Sequence, residues 1–395
     1  MEKKTVYNIT NSIAISEEET VDSNIPEVNK AEINLSQLKR NFDIIQGFLK
    51  PNTKFMAVLK GDAYGHGILP IAKELMNLKC DAFGVVRLVE AFTIRKAGIK
   101  TPIMLLAPIS PSQAAWVIRY NIIPMVDSKE IVEALNQSAS QNDTIVKLHV
   151  KINTGLNRYG VNPENAVKFI REIHEKYLHV QVDGVYTHFQ DPDYNPDFTY
   201  KQIECFNNII FQLQKQKLRP RIIHAANSTG IIRYPEAHYD MVRCGTLLFG
   251  LEHEQGQRNM PKGIKALMEL KGRIMKVRTI KAGEAGGYGS TFIAKKDSKV
   301  AIIAFGYGDG ISRGWKEVLV AGKRVPVVNY FMDGLMVDIS SLDETVSELD
   351  EAVIIGSQGN ESITWLEACK SLGSYVDEQI QYITERVPKK YFYEK

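Results

Sequence analysis

The sequence predicts an α/β protein with a (β/α)8 TIM-type barrel at its amino-terminal end, followed by a mostly antiparallel, β-rich second domain. Eight short apolar runs, rich in Val, Ile and Leu, occur between residues 31 and 251. Such runs are typical of buried parallel strands, and most segments between them have helical period. Eight strand–helix units in a row indicate a closed barrel. After residue 251, alternating apolar and polar runs separated by Gly-rich turns predict antiparallel strands.

The predicted elements follow in chain order. A first strand lies near Ala31–Leu35, and we expect it to pair with the second domain. The barrel strands are predicted at Phe55–Lys60, Ala82–Val86, Ile103–Ala107, Ile123–Val126, Val146–Ile152, Val180–Phe189, Ile222–Asn227 and Met241–Leu248. Helical period is clear at Leu88–Ala97 and Ala166–Glu175. Strands of the second domain are predicted at Arg273–Val277, Lys299–Phe305, Val325–Val328 and Met336–Ile339.

Changes in composition predict the domain boundaries. Residues 1–28 are polar and acidic and lack the apolar core of a signal peptide, so we interpret them as a mobile leader without a role in the chemistry. We expect residues 29–252 to form the barrel. Residues 253–395 would form the β-rich domain, beginning with a polar linker at His253–Lys262.

Composition excludes several classes of function. The net charge of +3, from 49 basic and 46 acidic residues, is too small to predict nucleic-acid binding. No apolar stretch reaches the roughly 18 residues that cross a bilayer, and no basic block predicts a membrane surface. The four cysteines form no Cys-x-x-Cys pair, and no His-Glu-x-x-His motif occurs. We therefore predict reduced thiols, a cytoplasmic protein and no catalytic metal.

Polar and basic residues gather at the predicted carboxyl ends of five barrel strands, where barrel enzymes place their chemistry. The set is Lys60, Arg158, His188, Asn227, Ser228, Arg243, Gly245 and Thr246. Each alone has a structural interpretation, such as a helix cap at Ser228 or half of an ion pair at Arg243. Several buried cations without carboxylates would be costly together, so the set predicts an anionic ligand. Gly245 would let backbone amides approach a phosphate.

Seven blocks of sequence resemble those of alanine racemases, in the family's order and with similar spacing. The first, Ala57–Gly67, resembles the family's cofactor-lysine signature. The others are Lys151–Gly160, Tyr186–Phe189, His224–Ser228, Asp240–Gly245, Gly287–Thr291 and Gly306–Gly310. The resemblance covers roughly residues 30 to 392. One block alone would be modest support, whereas seven in order are specific.

The resemblance implies a pyridoxal 5'-phosphate (PLP) enzyme that racemises alanine. Lys60 would bind the cofactor through its amine and move a proton on one face of the substrate Cα, and Tyr288 would be the acid/base on the opposite face. Arg243 would bond the pyridine nitrogen, and Arg158 the phenolic oxygen of the cofactor and the substrate carboxylate. Further cofactor contacts would be Tyr64, His188, Asn227, Ser228, Gly245 and Thr246. Lys151 matches a lysine that is carbamylated in many family members.

The resemblance also implies an obligate homodimer with shared active sites. In the family, the residue that matches Tyr288 reaches the active site of the other subunit. The turn that matches Met332-Asp333 does so too, and Met332 would contact the substrate. The expected partners are therefore a second copy of the chain and a small amino acid, without nucleic acid or membrane. The expected product, D-alanine, would supply cell-wall peptidoglycan.

This sequence departs from the family pattern at several positions. Gly61-Asp62 stands where the family usually has Ala-Asn, Asn153 where it has aspartate, and Phe331 where it has cysteine. We assign Asp193, Tyr307 and Asp377 to the entrance of the site. Asp377 stands where the family has a tyrosine that narrows this entrance. The aspartate is explained either by drift in a tolerant loop or by an altered gate.

Alternative functions stay open on the sequence alone. An altered gate would suit racemisation of serine, lysine or ornithine on the same machinery. A non-catalytic PLP carrier would resemble the barrel alone, and the second domain that holds Tyr288 argues against it. A decarboxylase of related architecture would favour a carboxylate at the pyridine nitrogen, and Arg243 argues against that.

Overall fold

The computed structural model describes residues 26–251 and 260–394. Most of the predicted leader and most of the linker lie outside these residues. The described chain begins with β1 (Asn29–Asn34) and then forms a closed barrel of eight parallel strands. These are β2 (Lys54–Val58), β3 (Ala82–Val85), β4 (Ile103–Pro108), β5 (Ile123–Val126), β6 (Val146–Lys151), β7 (Val180–Tyr186), β8 (Ile222–His224) and β9 (Met241–Cys244). The predicted barrel is confirmed, and each predicted run overlaps one strand.

Helical segments precede or follow the barrel strands, and the longer ones cover the barrel from outside. They are α1 (Leu35–Gln46), α2 (Lys60–Tyr64), α3 (Ile68–Asn77), α4 (Leu88–Lys96), α5 (Ala114–Arg119), α6 (Lys129–Gln141), α7 (Pro163–Lys176), α8 (Pro196–Lys215) and α9 (Ser228–Arg233). The long helices are amphipathic; α7 buries Ala166, Phe169, Ile170 and Ile173 and exposes its charged face. Burying this apolar stripe against the strands stabilises the layer.

The second part of the chain is mostly antiparallel, as the alternating pattern predicts. Its elements are β10 (Met268–Ile280), β11 (Ala285–Gly286), β12 (Phe292–Ile293), β13 (Ser298–Ile303), β14 (Glu317–Val320), β15 (Lys323–Tyr330), β16 (Leu335–Asp338), β17 (Glu351–Gln358), β18 (Glu361–Ile363), α10 (Trp365–Leu372), α11 (Val376–Gln381) and β19 (Lys389–Phe392). β17 pairs with both β14 and β10, so β10, β17, β14, β15, β16 and β13 form a closed ring of pairings.

The first and last strands among the described residues both belong to this sheet. β1 pairs with strands of the second domain, as predicted; it lies antiparallel to β10 and parallel to β19. The segment that precedes the barrel therefore lies in the second sheet. Among the described residues, no helix has both the length and the apolar character that a bilayer crossing needs.

Candidate active site

The carboxyl ends of the barrel strands open into a cavity of about 470 Å³. Residues selected from the sequence that line it are Lys60, Tyr64, Lys151, Arg158, His188, Asn227, Ser228, Arg243, Gly245, Thr246 and Asp377. Ten of these come from the barrel and its loops. Asp377 reaches the same cavity from α11. The structure thus brings together all eight residues that the sequence predicts at this edge of the barrel.

The prediction that the first barrel strand ends at Lys60 is wrong: β2 ends at Val58, and Lys60 begins the left-handed turn that forms α2. The φ angles are +61° at Gly61, +54° at Asp62, +55° at Ala63 and +52° at Tyr64. Left-handed backbone costs roughly 1–2 kcal/mol for each residue that carries a Cβ. Such strain persists where the surrounding structure enforces it, and it concentrates at functional sites.

Side chains from distant segments hold this turn in place. The Glu90 carboxylate accepts hydrogen bonds from the backbone amide of Gly61 at 2.7 Å and from those of Val86 and Arg87 at 2.9 Å each. On the other side, Gln381 Nε2 donates to the Gly61 carbonyl oxygen at 3.0 Å. Glu90 therefore caps α4 and also fixes the turn after Lys60, and Gln381 supports the same turn from the carboxyl-terminal segment.

The cavity makes the Lys60 amine easier to deprotonate. Lys60 is exposed as a whole residue, but its side chain lines the cavity. Desolvation there, followed by the nearby Arg158 cation, lowers the pKa of Lys60, although Asp377 and Glu90 oppose the shift. A larger fraction of the amine is therefore neutral near pH 7, and the neutral amine is the form that acts as nucleophile or base.

Arg243 is 3% exposed and has no carboxylate partner among the described residues. Its Nη1 donates to His224 Nδ1 at 3.0 Å, and its Nη2 donates to His188 Nδ1 at 3.2 Å. The Nη2 also donates to the carbonyl oxygens of Thr187 at 2.8 Å and Ala225 at 2.9 Å. Burial lowers the pKa of Arg243 to about 10, so the guanidinium stays charged at neutral pH. A fixed, uncompensated cation favours a ligand with acceptor atoms.

Lys151 is a second buried cation in the same wall. It is 2% exposed, and its Nζ lies 5.2 Å from the centre of the Tyr159 ring and 5.7 Å from that of Tyr186. Desolvation, followed by Arg158 and Arg243, lowers the pKa of Lys151 to about 8. Five lysine and arginine side chains therefore line the cavity against two carboxylates, Glu90 and Asp377.

A small cradle of hydroxyls and amides lies beside Arg243. Ser228 Oγ accepts hydrogen bonds from the amides of Gly245 at 3.1 Å and Leu247 at 3.3 Å. A Cβ on Gly245 would lie 2.4 Å from the Tyr64 hydroxyl oxygen, so only glycine leaves this space open. Asn227 caps α9 by accepting from the amide of Gly230 at 3.0 Å. Such a cradle suits a phosphate group.

Four residues selected from the sequence lie outside this cavity: Asp193, Tyr288, Tyr307 and Met332. Tyr288 is carried by the connection between β11 and β12 and is 77% exposed, and Met332 is 56% exposed. Asp193 accepts a hydrogen bond from the Thr229 hydroxyl at 2.8 Å. In the single chain, among the described residues, the phenol of Tyr288 therefore does not reach the cavity to which the sequence assigns it.

Comparison with known proteins decides the family. The model for the alanine racemase N-terminal domain matches residues 33–253, and the model for the C-terminal domain matches residues 267–391. The chain belongs to the alanine racemase family. Over the full length of both chains it is 95% identical to alanine racemase 2 of Clostridium acetobutylicum. It is 33% identical to alanine racemase of Halothermothrix orenii, covering 91% of this chain and 96% of that one.

Solved alanine racemase structures share the same architecture. The enzyme of Clostridium difficile 630 superposes with a TM-score of 0.87 at 30% identity, covering 94% of this chain and 97% of that one. The enzyme of Bacillus anthracis with bound L-Ala-P superposes with a TM-score of 0.86 at 28% identity, covering 93% and 96%. Both the barrel and the β-rich second domain therefore follow the family.

Several cavity residues were not selected from the sequence, among them Arg87, Glu90, Tyr159 and Tyr186. The capping-box pattern gave no signal for Glu90, because the residue three positions before it is Arg87 rather than Ser, Thr, Asp or Asn. Tyr186 stands in one of the blocks that resemble alanine racemases. Its ring stacks on His224 at 4.7 Å between centroids and lies 5.1 Å from the Arg243 guanidinium carbon.

Proposed function

We propose that this protein is an isomerase that interconverts L- and D-alanine with PLP as cofactor, in the cytoplasm, and supplies D-alanine for peptidoglycan. The observation that carries the proposal is the convergence of the Lys60 amine with Arg158 and Arg243 in one cavity. Membership of the alanine racemase family gives this convergence a specific chemical meaning.

The residues of the cavity fit PLP. A phosphate would be held by Ser228, Gly245, Thr246 and Tyr64, where a Cβ on Gly245 would close the cradle. Arg243, a buried donor without a carboxylate partner among the described residues, suits the ring nitrogen, and His188 and Asn227 complete the wall. When bound, PLP stabilises negative charge on the substrate Cα by delocalising it into its ring.

The chain's own residues would bind the substrate and move its proton. Arg158 offers a planar pair of donors that matches the substrate carboxylate. Lys60, whose pKa is lowered, can take or return the Cα proton on one face. Tyr288 would serve the opposite face, and inversion results when one group removes the proton and the other delivers one. Arg243 cannot accept a proton and so stays a fixed donor throughout.

A second copy of the chain is needed for this two-sided arrangement. Tyr288, Tyr307 and Met332 lie outside the Lys60 cavity and are exposed in the single chain. We infer a homodimer in which each subunit presents these residues to the cavity of its partner, Met332 toward the substrate and Tyr307 at the entrance. Asp193 and Asp377 would complete the entrance from the barrel's own subunit. Neither nucleic acid nor a membrane takes part.

We also propose that Lys151 is carbamylated. Its amine would attack carbon dioxide and release a proton, forming a carbamate. The lowered pKa of Lys151, caused by desolvation and then by Arg158 and Arg243, supplies the neutral amine this reaction requires. The resulting anion would offset the cations of the wall and hold Arg158 in position.

Subunit exchange tests the shared site. Lys60→Ala and Tyr288→Phe homodimers should each lose almost all activity. After the two variants exchange subunits, one of the two sites in each heterodimer has both groups, so about a quarter of wild-type activity should return. Each variant exchanged with itself is the control and should stay inactive. No recovery in heterodimers verified by mass spectrometry would refute the shared geometry.

Isotope incorporation tests the reaction. L-alanine incubated with PLP-loaded protein in deuterium oxide should give D-alanine that carries α-deuterium, as chiral analysis with mass detection can show. Borohydride reduction followed by peptide mapping should place the cofactor on Lys60. Attachment at another lysine, or α-deuteration without inversion, would overturn the proposal.

A further inference from the structure

The opposite, amino-terminal mouth of the barrel contains a second cavity, of about 370 Å³. It is lined by residues at or near the starts of barrel strands, among them Lys54, Ile123, Val146 and Ile222. This places it at the other end of the strands from Lys60. Its apolar lining includes Met56, Met104 and Met241, which belong to a methionine-rich layer inside the barrel. Flexible thioether side chains of this kind adapt to small apolar groups.

A buried donor in this cavity is fixed by a chain of hydrogen bonds that starts at Arg243. Arginine can only donate, so Nδ1 of His224 must accept and its Nε2 must carry the proton. Nε2 of His224 then donates to Nδ1 of His149 at 2.9 Å. Burial lowers the pKa of His149 to about 4, so this ring is neutral. The proton of His149 therefore lies on Nε2, which is buried and has no hydrogen-bond partner among the described residues.

A β-bulge places an acceptor next to this donor. Leu148 pairs with Val182 but His149 pairs with Gly184, so Asp183 is an extra residue in its strand. Bulges re-aim side chains in this way. Asp183 Oδ2 lies 4.0 Å from His149 Nε2, which is too long for a hydrogen bond. This distance is shorter than two hydrogen bonds placed end to end. One hydroxyl group between the two side chains can therefore accept from His149 Nε2 and donate to Asp183 Oδ2.

The mouth of the cavity carries excess positive charge. Asp183 is neutralised by Arg221, which donates to its two carboxylate oxygens at 3.0 and 2.6 Å. The lining includes Lys54, Lys100 and Lys147, and none of them pairs with a carboxylate among the described residues. An anionic group would therefore be attracted to the mouth.

We propose that this cavity binds a small organic anion that carries a hydroxyl group, the chemistry of an aliphatic hydroxy acid. The hydroxyl bridges His149 and Asp183, the methylene groups contact the methionines, and the anionic group lies among the lysines. A buried donor without an acceptor destabilises the fold, and such a ligand would satisfy it. This site is independent of the function proposed for the Lys60 cavity.

A matched series of probes tests the site on the PLP-loaded protein labelled with carbon-13 at the methionine methyl groups. We expect 4-hydroxybutyrate to shift the resonances of Met56, Met104 and Met241 saturably, with assignments made by single Met→Leu variants. Butyrate lacks the hydroxyl and 1,4-butanediol lacks the charge, so each should bind about tenfold more weakly. These methionines do not line the Lys60 cavity, so a carboxylate bound there would not reproduce the shifts.

Variants of the exposed lysines complete the test. The Lys100→Gln/Lys147→Gln double variant should weaken 4-hydroxybutyrate binding about tenfold. A double variant at exposed helix positions, Lys73→Gln/Lys168→Gln, should change it less than about twofold. The proposal fails if the three methyl groups do not shift, if all three probes bind equally, or if both double variants behave alike.

Discussion

Asn329 Nδ2 donates a hydrogen bond of 3.0 Å to the backbone carbonyl oxygen of Tyr288. The same amide donates to Thr291 Oγ1 at 2.7 Å, and Asn329 is only 4% exposed. The contact is close, since a Cβ on Gly287 would lie 2.4 Å from the Asn329 side chain. One buried amide therefore sets the path of the loop that carries the proposed second acid/base.

Asn329→Ala should lower kcat without weakening PLP binding. The loop would lose its anchor while the Lys60 cavity stays intact, and a displacement near 1 Å can cost on the order of 100-fold in rate. We expect kcat to fall at least about tenfold. PLP affinity, measured by absorbance titration, should change less than about twofold. Asn207→Ala, at an exposed helix position whose amide accepts from Tyr239, is the control. Equal losses of kcat and PLP affinity would contradict this positioning role.

Arg243→Lys should destabilise the fold itself. An ammonium cannot reach all four acceptors that the guanidinium satisfies, so at least one buried acceptor is left without a donor. We expect a loss of about 1–3 kcal/mol in the free energy of unfolding by urea, measured without added PLP. Arg219→Lys, which changes a half-exposed pair with Asp240, should cost less than about 0.5 kcal/mol. Similar losses in the two variants would refute the argument.

The barrel could be predicted because each apolar run is short and is followed by turn residues. The positions at which the strands end could not be predicted. The apolar run Val180–Phe189 predicts a strand that continues to Phe189, but β7 ends at Tyr186. Apolar residues continue past the strand end because they still line buried loops. In the second domain, β14 and β17 were not identified. Their apolar runs, Val318–Val320 and Ala352–Ile355, lack the alternation that marked their neighbours.

The candidate site was predictable from the rule that barrel chemistry lies at the carboxyl ends of strands. The left-handed turn after Lys60 was not, because Asp62 and Ala63 rarely adopt positive φ. The turn is enforced by Glu90 and Gln381, which lie far from it in sequence. Local propensity cannot reveal a conformation that tertiary contacts impose.

Lys151 should make stability depend on pH in buffer free of carbon dioxide. Its pKa is lowered from its usual value of 10.5 to about 8 by desolvation and then by Arg158 and Arg243. Between these values the unfolded chain binds more protons than the folded chain, so stability rises with pH. The cost of the buried cation is fully present below about pH 8 and is lost toward pH 10.5. It amounts to roughly 3 kcal/mol.

Lys151→Met should remove this pH dependence. Its free energy of unfolding in urea should exceed that of the wild type, and this difference should shrink as the pH rises from about 8 toward 10.5. Lys168→Met, at an exposed position of α7, should follow the wild type at every pH. An advantage for Lys151→Met that does not change with pH would show that apolar packing, rather than the charge, is responsible.

Alanine substitutions at Gly67 and Gly98 distinguish the cost of a steric clash from the cost of backbone strain. Both have positive φ, +87° and +78°. A Cβ on Gly67 would lie 2.0 Å from the Tyr391 hydroxyl, whereas a Cβ on Gly98 would have nothing within 4 Å. Gly98→Ala should cost about 1–2 kcal/mol of unfolding free energy, and Gly67→Ala clearly more. In a Tyr391→Phe background, Gly67→Ala should cost less, because the clashing oxygen is gone. Equal costs at the two glycines would contradict the clash.

Asp377 should control which side chains the site accepts. It lines the cavity from α11, and its charge opposes the larger desolvation effect on the pKa of Lys60. A carboxylate at this position leaves more room than the tyrosine that the resemblance implies there, and it attracts a cationic side chain. Ornithine and lysine should therefore be racemised at rates within about tenfold of alanine.

Asp377→Asn should lower kcat/KM for ornithine at least about tenfold while changing that for alanine less than about threefold. Glu378→Gln is the matched control, since Glu378 accepts from Ser374 and Tyr382 and does not line the cavity. Chiral chromatography of each product gives the rates. The altered gate is refuted if the wild type racemises alanine much more than about tenfold faster than ornithine and lysine, or if both variants change this ratio equally. Asp377 would then reflect sequence drift in a tolerant segment.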